Sequence, residues 1–559
     1  MLVYTIKELC RTCYTCVREC PARAIRIVGG QAEVITERCV ACGNCTKVCS
    51  QGAKVFLNTT DQVQKLLESS EKTAAIVAPS FPAEFPDTGD YRNLIGMIRA
   101  LGFDYVSEVS FGADLVAHRY RKLISEAGDK TYISSDCPAI VSFIRFYHPD
   151  LTENLVPVVS PMLAMTRVMR EKYGSDLKIV FIGPCVAKKA ETPEVDASIT
   201  FTELREMFIK AGIAEGTFKP SGFDAPLGGR GAIFPVTRGL LQAAGVNDDA
   251  ITGNIIAAEG RIGFQEAIKE FEEGMIGGQH LELLCCEGCI MGPGMSKGGK
   301  QYNRRALVSG YAHQKMETIN SEEWQNNLQT YDRLDLSIKF KPEDLRRELP
   351  ENEEINKVLA SMGKVAPKDH LNCGACGYDT CIDHAVAIVK GLAEEEMCLP
   401  YTIEKLHRSV KDLALSNAKL TTMQNALKQS EKLAHMGQLS AGIAHELNNP
   451  LGVVIMYSNI LIDECTPDNP VRQDLELIAE QAARCKKIVG GLLNFARKNQ
   501  VNRQYINVRE LAEASVSGVI VPDTVKVTVD DRTTDPNASI DAEQMTQVLT
   551  NLIKNAVDA

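Results

Sequence analysis

Long apolar runs are missing from this chain of 559 residues. The longest stretches, such as Leu451 to Met456, fall far short of the ~20 residues a membrane-spanning helix needs. The N-terminal MLVYTIKELC has no basic start followed by a long apolar run, so it does not read as a signal peptide. An excess of positive charge is missing too. The formal net charge of −11 argues against general binding to nucleic acid or to an anionic membrane. The expected compartment is the cytoplasm. Low-complexity or disordered composition is absent: hydrophobic residues are 45% and charged residues 24%, as in ordinary globular protein. At roughly 150 residues per domain, the length suggests about four domains. Cysteine is scarce only at the rear, where two of the 19 lie after residue 400.

The other seventeen are the dominant signal. Cytosolic thiols stay reduced, so a dense pattern reads as metal binding or catalysis rather than disulfides. Residues 1–58 are short β-prone pieces between two cysteine runs. Cys10, Cys13, Cys16 and Cys20 are spaced C-x2-C-x2-C-x3-C and precede Pro21. Cys39, Cys42, Cys45 and Cys49 repeat the spacing, with Ser50 in place of the second proline. This resembles the bacterial two-cluster ferredoxins, in which the fourth cysteine of each run ligates the other cluster. Three thiolates close in sequence wrap one face of a cubane, and a distant fourth closes it. One [4Fe–4S] cluster is expected on Cys10, Cys13, Cys16 and Cys49, and a second on Cys39, Cys42, Cys45 and Cys20. Zinc ribbons, the competing reading, use two C-x2-C pairs rather than triplets.

Residues 70–345 alternate apolar strand-like runs (TAAIVAP, KIVFIGP, GAIFPV, ITGNIIAAEG) with helical patterns, which predicts an α/β domain. Three segments, SSDCPAIVSFIRFYHPDL (134–151), IGPCVAKKAETPEVDA (182–197) and ELLCCEGCIMGPG (282–294), resemble the catalytic domain of [FeFe] hydrogenases, in the family's order. The resemblance implies four cysteines around a [4Fe–4S] cluster, one of them bridging to a diiron site with CO and CN⁻ ligands. Carried over by motif, Cys137 and Cys185 are ligands and Cys289 is the bridging one. The remaining ligand is Cys285 by the family's C-x3-C spacing, or Cys286 by the flanking residues. Lys188 matches the lysine that hydrogen-bonds a cyanide. The family's proton path is altered: Asp136 stands where fast hydrogenases have a cysteine, Gly183 replaces a methionine, and His118, Arg119, Tyr120 and Val156 replace other expected residues. Slow turnover or sensing fits these departures better than efficient catalysis. The alternative is a domain holding only a [4Fe–4S] cluster, or none.

Residues 341–356 are charged, contain Pro342 and Pro350, and read as a connector. Within 350–402, Cys373, Cys376, Cys381 and Cys398 form C-x2-C-G-x3-C-x16-C-type spacing. This resembles the small [4Fe–4S] module of corrinoid iron–sulfur proteins. Zinc is the competing reading. Gly374 and Gly377 permit tight turns around a cluster.

From 404 to 433 the pattern changes. Leu406, Leu413, Leu420, Leu427 and Ala434 recur every seven residues, while Val410, Asn417, Gln424 and Glu431 form a mostly polar companion seam. This predicts a two-stranded coiled coil with weak layers, the alternative being one amphipathic helix packed on a domain. Residues 434–465 and 471–499 read as two helices of a hairpin that dimerises into a four-helix bundle, joined through Pro467 and the Asp468–Asn469–Pro470 start signal. HMGQLSAGIAHELNNPLGVV (435–454) resembles the phosphoacceptor box of sensor histidine kinases. The resemblance makes His445 the acceptor, Glu446 the base beside it and Asn449 a residue that orients water for dephosphorylation, with Pro450 bending the helix just beyond. DAEQMTQVLTNLIKNAVDA (541–559) resembles the first box of the kinase ATP-binding domain, with Asn555 and Asn551 toward Mg²⁺ and ATP. The family's glycine-rich boxes do not follow, so 505–559 reads as a partial ATP-binding unit of a longer protein, or as a receiver of phosphate from a partner kinase. Cys465 and Cys485 read as ordinary helix residues.

The expected fold is multidomain, α/β and α+β: a ferredoxin-like N-terminus (1–58), an α/β hydrogenase-type domain (70–345), a small Fe–S module (350–402), a coiled coil (404–433), a dimeric helical-hairpin bundle (434–500) and a partial α/β kinase ATPase domain (505–559). The expected function is a redox- or H2-sensing histidine kinase, homodimeric, with a response regulator and an electron-transfer partner. A hydrogenase proper and an electron carrier without a diiron site are the other readings.

Overall fold

The computed structural model describes residues 2–214, 216, 218–246, 253–346, 349–464, 466, 470–496, 502–522, 525–533 and 535–558. The chain divides into two compact units, Met1–His407 and Arg408–Ala559.

The first unit begins with two antiparallel pairs. β1 (Val3–Thr5) pairs β4 (Lys54–Phe56), and β2 (Ile25–Val28) pairs β3 (Gln31–Val34). Two short helices, Thr15–Arg18 and Asn44–Val48, each carry a cysteine on their buried side, Cys16 and Cys45. The cysteine-bearing loops therefore hang between short strands.

The centre is a parallel sheet in the order β6-β5-β7-β8, formed by β5 (Thr73–Val77), β6 (Tyr105–Glu108), β7 (Lys178–Gly183) and β8 (Ala197–Thr200). Every residue of β5 (TAAIV) is buried, as a central parallel strand covered on both faces requires. The chain leaves β5 toward β6 on one side and returns to β7 on the other, so the strand order reverses between β5 and β7. In open α/β sheets a crevice forms at such a point, outside the carboxyl ends of the strands. A second parallel pair, β9 (Ile255–Glu259) with β10 (His280–Leu284), is tied to the remainder through Ile133, which bridges Leu281 and Leu155.

The helix Ser110–Ser125 is buried along much of its length and anchors the loop at 228–231. Its Asp114, 4% exposed, accepts hydrogen bonds from Gly229 N–H (2.6 Å), Gly231 N–H (2.5 Å) and Trp324 Nε1 (3.0 Å). The GAIFPV run, expected as a strand, is instead a 3-10 turn, Arg230–Ile233. The reason is this contact: a backbone that gives its N–H groups to Asp114 is not extended for sheet pairing. The connector is also shorter than expected, because a helix, Asn352–Ser361, starts inside it.

In the second unit, no boundary separates the expected coiled coil from the first hairpin helix. One helix, Leu399–Glu464, runs through both segments and through Pro450. Helix Val471–Ala496 follows, and Arg472 Nη1 donates to the Ile462 carbonyl (3.1 Å) across the connection. Cys465, Pro467, Asp468, Asn469 and residues 497–501 lie outside the described residues. β11 (Gln504–Asn507) pairs antiparallel with β12 (Asn537–Ile540), and helices Val508–Ser517 and Ala542–Asp558 follow these strands. Among the described residues, no helix is long and apolar enough to cross a membrane.

Candidate functional site

The front cysteines gather as two quartets. Cys10, Cys13, Cys16 and Cys49 line one cavity, with Lys54 beside them. Cys20, Cys39, Cys42 and Cys45 line another. Each quartet thus takes three thiols from one run and the last from the other. Among the described residues, no three His, Cys, Asp or Glu side chains close to the spacing of a single metal ion. Four sulfurs around a void are instead the donor set for a larger, soft-metal group. Burial pushes the Cys16 thiol up to about 11 and that of Cys20 up to about 12. Bare thiolates are therefore disfavoured at Cys16 and Cys20, and a positively charged metal group is what would hold them ionised.

Three motifs converge at the crevice between β5 and β7. Cys137 caps the helix Pro138–Tyr147, Cys185 follows β7, and Cys289 opens the 3-10 turn Cys289–Met291. Gly292 allows the third motif to lie on the second: a Cβ there would stand 2.5 Å from the Pro184 carbonyl oxygen. The pair Cys285 and Cys286 divides. Cys286 and Cys289 each interact electrostatically with Cys137 and Cys185. Cys285 faces Cys42 of the front quartet, an interaction that lowers the Cys42 thiol and raises that of Cys285, and it also interacts with Cys137. Cys137, Cys185, Cys286 and Cys289 thus lie near one another, with Cys285 between Cys137 and Cys42.

A cavity of about 70 Å³ adjoins this quartet. Its walls include Ser80 after β5, Pro184, Cys185 and Lys188 after β7, and Asp136 and Cys289. Met162, Phe181 and Phe234 supply apolar lining. Lys188 is ion-paired with Glu191 at 2.7 Å and donates to the Asp136 carbonyl at 3.4 Å. Two buried oxygens, Asp136 Oδ1 and Ser80 Oγ, have no hydrogen-bond partner. The buried Lys188 ammonium suits an anionic ligand, and the orphaned Asp136 and Ser80 oxygens call for a polar partner that the chain does not itself supply. Burial raises the Asp136 carboxyl to about 6.

Glu282 was not singled out from sequence as a site residue. It sits in the apolar run HLELL of β10, is 4% exposed, and its Oε2 has no partner. Burial, followed by the charge of Asp136, raises it to about 8 against hydrogen bonds from the Leu241, Leu240 and Arg238 backbone. A lone glutamate in a buried strand was the available signal. A larger cavity, about 830 Å³, opens beside Phe81, Tyr91, Phe223 and Tyr311. It holds no cysteine, so the metal chemistry belongs to the smaller one.

Cys373, Cys376, Cys381 and Cys398 belong to a module around helix Cys381–Val389. Cys376 interacts electrostatically with Cys373 and Cys398, and Cys398 and Cys381 pack in one core with Ile355 and Leu359. Farther along, His445, Glu446 and Asn449 lie exposed on the helix Leu399–Glu464. Ala444 beside the histidine is buried, 1% exposed. Asn551 and Asn555 are exposed on helix Ala542–Asp558, where Asn551 borders an open groove with Thr546, Gln547 and Thr550. Cys485 is exposed on helix Val471–Ala496.

Comparison with known families matches four segments. These are a 4Fe-4S dicluster domain at residues 2–50, the C-terminal domain of the iron-only hydrogenase large subunit at 71–293, an Fe–S cluster family at 369–400 and the His Kinase A (phospho-acceptor) domain at 435–501. Among curated proteins, the NADP-reducing hydrogenase subunit HndD of Solidesulfovibrio fructosivorans is 29% identical over 37% of this chain and 42% of its own length. Iron hydrogenase 1 of Clostridium pasteurianum is 32% identical over 33% of this chain and 38% of its own. The sensor protein kinase PilS of Pseudomonas aeruginosa is 30% identical over 23% of this chain and 25% of its own. The chain thus spans less than half the length of each of these relatives. One polypeptide here joins a 4Fe-4S dicluster domain, a C-terminal domain of the iron-only hydrogenase large-subunit type, an Fe–S module and a histidine-kinase phosphoacceptor domain.

Proposed function

We propose that the chain is a redox- or H2-responsive sensor histidine kinase of a two-component phosphorelay. The observation that carries this reading is contiguity: Cys398, the last thiol of the small module, directly precedes Leu399, the first residue of the helix that bears His445. In this reading the four cysteine quartets each hold a [4Fe–4S] cluster, with Cys286 rather than Cys285 completing the set of Cys137, Cys185 and Cys289. The adjoining cavity suits a diiron group with CO and CN⁻ ligands, which would supply reversible H2 chemistry. The chain's own residues frame it. Lys188, fixed by Glu191, presents a positive charge to an anionic ligand. Asp136, at about 6, is poised to hold or pass a proton at Oδ1. Met162, Phe181 and Phe234 exclude water.

At the rear, the exposed His445 is open to attack on the γ-phosphate of ATP, while Glu446 accepts the imidazole proton. Asn449 orients water in the reverse reaction. Asn551 and Asn555 contribute to Mg²⁺ and ATP binding in a complete ATP-binding domain. The exposed seam of Leu413, Leu420 and Leu427 supports a coiled coil and a homodimer. The downstream partner is a response regulator, and an electron-transfer protein serves the front clusters in the cytoplasm.

The test is phosphorylation of His445 in a chain with the complete ATP-binding domain, oxidised and reduced, with and without H2. Equal phosphorylation in all four states sinks the proposal. A slow hydrogenase is the second reading, favoured by the orphaned Asp136 carboxyl in the cavity. Slow H2 evolution from reduced viologen would support it, whereas fast turnover would contradict the altered proton path. Absence of infrared bands for CO and CN⁻ in matured protein would remove both the diiron site and this second reading, leaving an electron carrier.

A further inference from the structure

The small module does not stand apart from the dicluster segment. Val17, Ile25 and Ile27 of the front pack in one hydrophobic core with Tyr378, Ala387 and Met397. Three polar contacts pin the joint. Arg23 Nη2 meets Asp379 Oδ2 at 2.6 Å, the Arg23 guanidinium stands 4.9 Å above the Tyr378 ring centre, and Tyr14 OH donates to the Glu396 carbonyl at 3.2 Å. Gly377, at φ +88°, makes the approach possible, since a Cβ there would lie 3.3 Å from Arg18 Cα and the Val17 carbonyl oxygen. The helix it touches, Thr15–Arg18, carries Cys16. Tyr378 is 6% exposed and feels the charges of both Cys376 in its own module and Cys20 in the front quartet.

The module's other side grips the next helix. The Cys398 carbonyl accepts the Thr402 N–H (2.9 Å). The 3-10 turn Glu395–Met397 is held by Tyr401 OH to Glu395 (3.0 Å), Thr402 Oγ1 to the Glu396 carbonyl (2.7 Å) and Lys405 to Glu396 (2.7 Å).

We propose that the small module is the electron exit of the dicluster segment, taking one electron from the cluster held by Cys20, Cys39, Cys42 and Cys45. Arg23 and Tyr378 are its positioning residues. This rests on the four-cluster reading above. In the step, the front cluster is oxidised by one electron and the module cluster is reduced by one. No bond forms or breaks and no proton moves. The electron enters the front from a low-potential one-electron donor, such as a reduced ferredoxin or dithionite. The added negative charge then appears behind Cys398, beside the Glu395 and Glu396 carboxylates that hold Tyr401 and Lys405, and it repels them.

The experiment uses the full chain, loaded with clusters anaerobically, reduced with dithionite and followed by freeze-quench electron paramagnetic resonance. In the native chain the module signal is broadened by its reduced neighbour and arises with it. Arg23→Asp and Tyr378→Ala narrow the module signal and slow its appearance severalfold at unchanged iron content. The exchange Arg23→Asp with Asp379→Arg recovers both features, which ties them to the Arg23–Asp379 ion pair. If both single variants match the native chain at full iron content, the route is overturned while the cluster reading stands. A native chain lacking the module's iron overturns both.

Discussion

Residues 1–407 and 408–559 differ in how they dispose of apolar surface. The front buries Phe81, Phe111, Phe201 and Phe264 completely and stacks its parallel sheet in a continuous core. In the rear, Ala444, Ser458, Ala482 and Ser515 are the buried residues among the described side chains. Leu413, Leu427 and Leu439 there remain 63%, 60% and 66% exposed. A folded chain's stability is a small surplus over conformational entropy, and buried apolar area supplies most of it. The front meets that requirement from its own residues. The rear leaves leucines such as these uncovered by its own described side chains; in the proposed dimer they would be covered, and its stability would then depend on protein concentration.

The sharpest test of this division is functional. His445→Gln abolishes phosphorylation measured with labelled ATP in a chain with a complete kinase, and leaves the melting of the front unchanged. Next in size is metal loading. Cys286→Ser removes one cluster's iron from the front, whereas Cys285→Ser retains it, as elemental analysis of the two variants will read. Equal loss in both would return the ligand choice to Cys285.

Packing comes third. Phe264→Ala, in the front core, costs about 3–5 kcal/mol by denaturant unfolding. Leu413→Ala in dilute, monomeric protein stays within about 0.5 kcal/mol, while Leu413→Asp with Leu420→Asp shifts sedimentation from dimer to monomer. A large cost for Leu413→Ala in the monomer would mean that the seam is already covered, and the contrast would fail.

The smallest effect is a pH dependence confined to the front. Burial raises Asp114 to about 6 from its ordinary 3.8. The folded state therefore holds this proton more tightly than the unfolded state. The associated stability is fully present below pH 3.8 and is lost as pH rises toward 6, by about 3 kcal/mol at most. Asp114→Asn removes that slope, seen as the difference between the two unfolding curves across the window. A native chain with the same slope as the variant would contradict the assignment.

Cysteine spacing made the metal-bearing parts legible, because ligand geometry dictates short fixed intervals. The quartets of Cys10, Cys13, Cys16 and Cys49 and of Cys20, Cys39, Cys42 and Cys45 come together as that spacing implies. Adjacent residues defeat the same logic. Cys285 and Cys286 both reach Cys137 and Cys42, and they differ in that Cys42 dominates for Cys285 while Cys286 also meets Cys185. GAIFPV has the composition of a strand, yet Asp114 claims its backbone donors from a distant helix. The seam at 404–433 and the phosphoacceptor segment looked like separate elements, but nothing in Lys432–Ala434 breaks a helix, and none is broken. Glu282 and Asp114 escaped notice because a buried carboxyl has no sequence signature beyond standing among apolar or small residues.

The chain has a single tryptophan, and its indole N–H closes the Asp114 site. Tryptophan-selective emission therefore samples one point in residues 1–407 and is blind to 408–559, whose tyrosine emitters are Tyr457 and Tyr505. Helix ellipticity, by contrast, reports both parts, since helices such as Ser110–Ser125 and Gln301–Thr318 lie in the front and Val471–Ala496 in the rear. Recorded together on one sample, a loss of ellipticity with unchanged tryptophan emission marks melting of 408–559 without cutting the chain. Since the indole faces a carboxyl that changes charge, the emission wavelength also follows that titration.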